Sequence, residues 1–220
     1  MELLPLYISA LLLGTAHAIE PDHVAAVTTF VVRRPRPLQA AGFGVRWALG
    51  HGAAIFLVGV ALLLLGKAVP AGWTEMLDRI VGVAMILLGT WSVANARALH
   101  AHEHVHGDGT RHTHLHHHDT GRDADHSHRH AATAFGMLHG LAGTGPAVAL
   151  IPLLSLRSTG QGALYLFLFG LGTALGMGSY ALIAGTVASR IGTVSEKLGR
   201  GLAVAAGLCA ICVGVIWVIR

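Results

Sequence analysis

Of the chain's 220 residues 53% are hydrophobic and only 12% charged, and the formal net charge at pH 7 is +4. So apolar a composition excludes an ordinary water-soluble domain, and the positive balance is largely the uneven loop distribution of Lys and Arg described below, so no nucleic-acid partner is expected. The apolar runs reach the ~20 residues a helix needs to cross hydrocarbon, so the expected fold class is an all-α membrane protein whose first partner is the lipid bilayer.

About six transmembrane helices are expected, the first near Leu3 to Val32. Its Ala16-His17-Ala18 imitates the small-residue end of a secretory signal, but the run opens on Glu2 instead of Lys or Arg and reads as a retained span. It is longer than a straight crossing needs. Pro21 inside it removes an N–H and clashes with the carbonyl four residues back, which predicts an interrupted helix with opened backbone around His17. The second and third spans are expected at Gly44 to Leu65 and Met76 to Leu99.

The apolar pattern then stops. Residues 100–130 hold twelve of the sixteen histidines, several acidic residues and almost nothing that builds a core. This composition reads as a loop, disordered when metal-free, that binds divalent ions weakly at many alternative sites as a buffer or sensor. Its affinity should fall below about pH 6 as imidazoles gain protons. The remaining spans are expected at Thr133 to Ser155, Gly160 to Ala188 and Leu198 to Ile219, the fourth interrupted by the run from Gly140 through Pro146. Cys209 and Cys212, one helical turn apart in the last span, are expected to be buried as small hydrophobes and imply no disulfide.

The chain thus divides into a first three-helix half (1–99), a His-rich loop (100–132) and a second three-helix half (133–220). An ungapped offset of 122 relates the halves weakly: Gly14 and His17 recur as Gly136 and His139, Ala25 as Ala147, and Leu49-Gly50 as Leu171-Gly172. Halves with an odd number of spans insert in opposite orientations, so two inverted repeats with interrupted first helices are expected. Eleven Lys and Arg residues, Arg33, Arg34, Arg36, Arg46, Arg97, Arg111, Arg122, Arg129, Arg190, Lys197 and Arg200, fall in the first, third and fifth loops, against four on the other side. The positive-inside rule then puts both termini outside and the His-rich loop in the cytoplasm of a bacterial-type inner membrane.

Only four histidines, His17, His23, His51 and His139, fall inside predicted spans, and the carboxylates at membrane depth are Glu20 and Asp22 beside two of them. Ionisable groups in the bilayer are expensive and usually mark ion or substrate routes. Imidazole with carboxylate suits divalent first-row metals, and the lack of thiolate or thioether argues against Cu(I). On a straight helix Asp22 and His23 would point roughly 140° and 240° away from His17, so a shared site requires the break at Pro21. The competing reading is a set of structural histidines that merely tie helices together.

The run His17-Ala18-Ile19-Glu20-Pro21-Asp22-His23 resembles the H-x4-D-H signature of nickel/cobalt permeases, and Leu49-Gly50-His51-Gly52 resembles their second histidine motif. The resemblance, to a superfamily of uptake permeases, urease-accessory-like membrane proteins and cobalt/nickel efflux proteins, implies metal-binding roles for His17, Asp22, His23 and His51. His139 and Glu20 join the candidate set by position. The chain departs from the eight-span permeases in having no acidic segment at Gly170-Leu171-Gly172-Thr173-Ala174. Six spans and a His-rich loop resemble the efflux branch, whereas Asp22 leans to uptake.

The leading expectation is a secondary transporter of Ni2+ or Co2+, uptake slightly favoured, with the ion as cargo and no prosthetic group. Efflux, or a non-transporting metal receptor that serves metalloenzyme maturation proteins, is the alternative. Gly66-Lys67 lacks the rest of a Walker A motif, and no H-E-x-x-H occurs. Neither ATP hydrolysis within the chain nor intramembrane proteolysis is therefore expected, and the chain is not read as an enzyme.

Overall fold

The structure, a computed structural model, describes residues 3–32, 36–65, 72–96, 100–105, 111–116, 124–142, 156 and 158–220. Seven α-helices occur among them: α1 (Leu3–His17), α2 (Pro21–Val31), α3 (Pro37–Leu65), α4 (Trp73–Ala94), α5 (Ala124–Gly140), α6 (Thr159–Val194) and α7 (Glu196–Ile219). Four of these, α3, α4, α6 and α7, are long and apolar enough to cross a membrane, and the bent pair α1–α2 makes a fifth candidate. Most of the fourth expected span, together with the break anticipated as far as Pro146, lies outside the described residues.

Helix ends follow local chemistry. Pro21 and Pro37 occupy first-turn positions, where the missing N–H costs nothing. Ser158 caps α6 by accepting from the Gln161 N–H, and Ser195, in extended conformation, both stops α6 and caps α7 by accepting from the Leu198 N–H. Gly72 precedes α4 at φ +84°, a conformation that favours a residue without Cβ.

Two expectations change here. The second span starts at Pro37, not Gly44, so Arg46 sits within α3 and not in the first loop. The N-terminal part of that helix, Pro37 to Phe43, extends past the apolar run that marked it. Cys209 and Cys212 are free and exposed on α7 among other outward-facing apolar residues such as Leu208, Val215 and Ile216. Lipid is as apolar as a protein core, so composition alone does not tell a lipid-facing thiol from a buried one.

The segment read as a loop also carries order. His100–Val105 (β1) and Arg111–His116 (β2) pair antiparallel, in a register that sets His100 opposite His116, His102 opposite His114 and His104 opposite His112. Helix α5 then begins at Ala124, inside the His-rich stretch. His106, His117 and His118 lie outside the described residues.

The helices pack in reciprocal pairs. Helix α3 lies along α6 at the centre; α1 packs on α6, α5 packs on α3, and α4 packs on α7. Backbone-to-backbone contact at glycine makes these pairs close. A Cβ on Gly14 would strike the Phe169 carbonyl, and one on Gly136 would strike that of Trp47; on the outer pair, Gly82 meets the Gly214 carbonyl and Gly89 that of Gly207. Hydroxyls add cross-links: Thr15 donates to the Gly172 carbonyl at 3.2 Å, Thr29 to that of Ala206 at 3.3 Å, and Ser92 to that of Ala203 at 3.1 Å. Leucines such as Leu12, Leu57 and Leu64 face outward, as lipid contact requires.

Candidate metal site

The break at Pro21 takes the form the sequence anticipates. Helix α1 ends at His17, α2 starts at Pro21, and their axes bend by 56°. The chain leaves α1 through a tight turn in which the Ile19 N–H donates to the Ala16 carbonyl and the Glu20 N–H to that of His17. Helix α5 ends in the same turn: Leu141 donates to Leu138 and Ala142 to His139. Every one of these residues is related to its counterpart by the offset of 122 (16 and 138, 17 and 139, 19 and 141, 20 and 142). Two helix C-termini, negative ends of their dipoles, therefore carry His17 and His139 toward the same interior point.

Around that point the structure brings together five of the six candidate residues. Relative exposures are 4% for His17, 5% for Asp22, 1% for His23, 0% for His51 and 1% for His139. Nε2 of His17 lies 3.1 Å from Nε2 of His51, and Nε2 of His139 lies 2.9 Å from Oδ2 of Asp22. The His23 ring stands between these pairs, with Nδ1 3.3 Å from Oδ1 of Asp22 and its centroid 4.6, 4.9 and 4.7 Å from those of His17, His51 and His139. Such donor separations suit two ligands of one cation, since nitrogens at about 2.0–2.1 Å from a tetrahedral ion lie about 3.3 Å apart. Among the described residues two groups bring one donor atom from each member within 4.8 Å of the others: His17, His23 and His51; and Asp22, His23 and His139.

The sixth candidate, Glu20, belongs to neither group. Its side chain is one-third exposed, and Oε1 lies 3.0 Å from Nδ1 of His17. A carboxylate behind an imidazole is the usual way in which a ligating histidine is oriented through its second nitrogen.

The satisfaction of the ring nitrogens bears on the choice between a ligand set and structural histidines. Buried polar atoms in native interiors are nearly always hydrogen-bonded. Here Nε2 of His23 and Nδ1 of both His51 and His139 have no hydrogen-bond partner among the described residues, although all three rings are buried. Each of these rings has one nitrogen near a partner and the other open, an arrangement compatible with cation binding.

Sequence reasoning overlooked the aromatic walls. The His17 ring lies 5.5 Å from Phe169 and the His139 ring 5.7 Å from Trp47, with Trp217 at 5.8 Å on the other side of His139. Trp47 and Phe169 are themselves related by the offset of 122, a signal present in the sequence but too weak to read between two aromatic residues of different type. Thr173, the counterpart of His51, is fully buried and donates to the Phe169 carbonyl at 3.0 Å. The second half thus has a hydroxyl engaged with its own helix where the first half has an imidazole.

Over residues 9–216 the chain matches the family described as cytochrome C biogenesis protein transmembrane region. It is 29% identical to the urease accessory protein UreH of Bacillus sp. (strain TB-90) over 84% of its own length and 78% of that protein. It is also 27% and 26% identical to the chloroplast proteins FOR GROWTH AND FERTILITY 1 and 2 of Arabidopsis thaliana, over 85% and 91% of its own length. The chain spans about half, 52%, of each of these two plant proteins. No solved structure matches it.

Proposed function

The chain belongs to the cytochrome C biogenesis protein transmembrane region family, and from that premise we propose that it is a secondary transporter of a divalent transition-metal ion, Ni2+ or Co2+. The family assignment, the apolar helices and the likeness to a urease accessory protein agree with a multi-pass membrane protein of the urease-accessory-like kind within the nickel/cobalt transporter superfamily. The observation that carries the proposal is the buried cluster of four histidines and Asp22, in which Nε2 of His17 faces Nε2 of His51 and Nε2 of His139 faces Oδ2 of Asp22 at ligand spacing.

The matched turns after His17 and His139, and the reciprocal packing of α1 on α6 and α5 on α3, support two inverted three-helix halves with the ion held where they meet. On this reading the membrane is the bacterial cytoplasmic membrane, with termini outside and the His-rich segment in the cytoplasm as a metal buffer. Uptake is slightly favoured because Asp22 completes the motif that resembles the uptake permeases. The cluster is cargo-binding machinery, and the chain performs no covalent chemistry.

Flux of labelled nickel into proteoliposomes is the test. His17→Ala and Asp22→Ala should each lower the rate by more than about tenfold, since loss of a ligand costs at least what loss of its outer partners costs. Wild-type rates in both variants would refute the assignment. A second reading, a membrane metal receptor for metalloenzyme assembly, is favoured by the name of the UreH relative. Deleting residues 100–123 separates the two: it should abolish delivery by a receptor and only modulate a carrier.

A further inference from the structure

Resting on that metal-carrying reading, we propose that the cluster is two successive cation positions sharing His23, one formed by His17, His23 and His51 and the other by Asp22, His23 and His139, between which a single ion passes. The donors are already sorted into two pairs. Nε2 of His17 and Nε2 of His51 face one another at 3.1 Å, and Nε2 of His139 faces Oδ2 of Asp22 at 2.9 Å. The His51 and His139 rings, which belong to different positions, have centroids 6.4 Å apart. Only His23 appears in both groups.

The chemistry of one imidazole makes the positions alternatives. Nδ1 of His23 is 3.3 Å from Asp22, on the side of the second position, and Nε2, without a hydrogen-bond partner among the described residues, serves the first. A neutral imidazole has one lone pair available and a proton on its other nitrogen. His23 therefore completes one triad at a time, and an ion in one position denies His23 to the other.

The two positions also differ in character. The first is all nitrogen and drawn from α1, α2 and α3; the second adds a carboxylate and joins α2 to α5, on the other side of the His-rich segment. Passing from the first position to the second breaks the bond to Nε2 of His23 and forms one to Nδ1, with the ring proton moving from Nδ1 to Nε2, so the ion changes both the helices that hold it and the His23 nitrogen that ligates it. Conduction benefits from such weak multiple sites, because each must bind well enough to accept the ion and loosely enough to pass it on.

Full-length protein in detergent, with the twelve histidines of residues 100–130 replaced by Gln so that only the buried cluster is counted and with this background serving as wild type below, is titrated with Co2+ and followed by equilibrium dialysis and visible absorption, with flux measured in parallel in proteoliposomes. Wild type should bind one Co2+ per chain. His51→Ala and His139→Ala should each still bind one ion, with different absorption bands for mixed and all-nitrogen shells, yet both should lose flux by more than about tenfold. His23→Ala should lose binding as well as flux. His51→Gln and His139→Gln, which keep side-chain volume, take the place of any alanine variant that fails to fold. Two ions per wild-type chain, or equal loss of binding in the position 51, 139 and 23 variants, would overturn the two-position arrangement while leaving metal binding intact. A wild-type chain that takes up no Co2+ would instead remove the metal reading itself.

Discussion

Two populations of histidine in one chain live under opposite rules. The twelve between residues 100 and 130 have neighbours of their own kind in abundance, so an ion there has many nearly equivalent arrangements. The four inside the helices have no alternatives: each is held by a packed helix, and the pairs His17/His51 and His139/Asp22 are set by backbones that touch at glycine. On the proposed reading the first population would gain capacity from number, and the second selectivity and route from geometry.

The comparison breaks most sharply at Asp22. Asp22→Asn keeps size and hydrogen-bonding capacity but removes the negative charge facing His139 and His23, and nickel flux in proteoliposomes should fall by more than about tenfold. A rate unchanged by this substitution would mean the buried set needs no anionic ligand. Next in size is the scaffold itself. Gly136→Val drives a side chain into the Trp47 backbone and should destabilise the protein by about 1–3 kcal/mol, read as a lower thermal midpoint in detergent, because the contact is with main chain and cannot yield cheaply.

The smallest effect on transport is expected from the abundant population. Replacing all twelve histidines of residues 100–130 with Gln should leave nickel flux at saturating metal within about twofold of wild type, while removing most of the pH-dependent metal uptake by the isolated segment. That uptake should disappear as pH falls through about 6.5, since protonated imidazole has no lone pair to offer. A tenfold loss of saturated flux in this variant would erase the distinction between the two populations.

How far the sequence foretold this depends on how local each signal is. Spans were legible because hydrocarbon demands unbroken apolar length, and the stop at His17 because proline acts on its immediate neighbours. The meeting of His139 with Asp22, 117 residues apart, was not legible from either residue's surroundings; only the weak offset of 122 hinted at it. The β1–β2 pairing was also missed, although histidines alternate with Ala, Glu and Val on one strand and with Thr and Leu on the other, a period of two that polarity masked. The orientation of Cys209 and Cys212 was misjudged because apolar surroundings on the lipid side read the same as apolar surroundings inside.

Those two thiols are the chain's whole complement, and both are free on the outer flank of α7, a helix that contributes no histidine. The protein therefore carries a built-in pair of attachment points for a nonpolar spectroscopic reporter. Labels placed there, one at a time after Cys209→Ser or Cys212→Ser, would watch the outer helix during ion passage without disturbing the donors they report on.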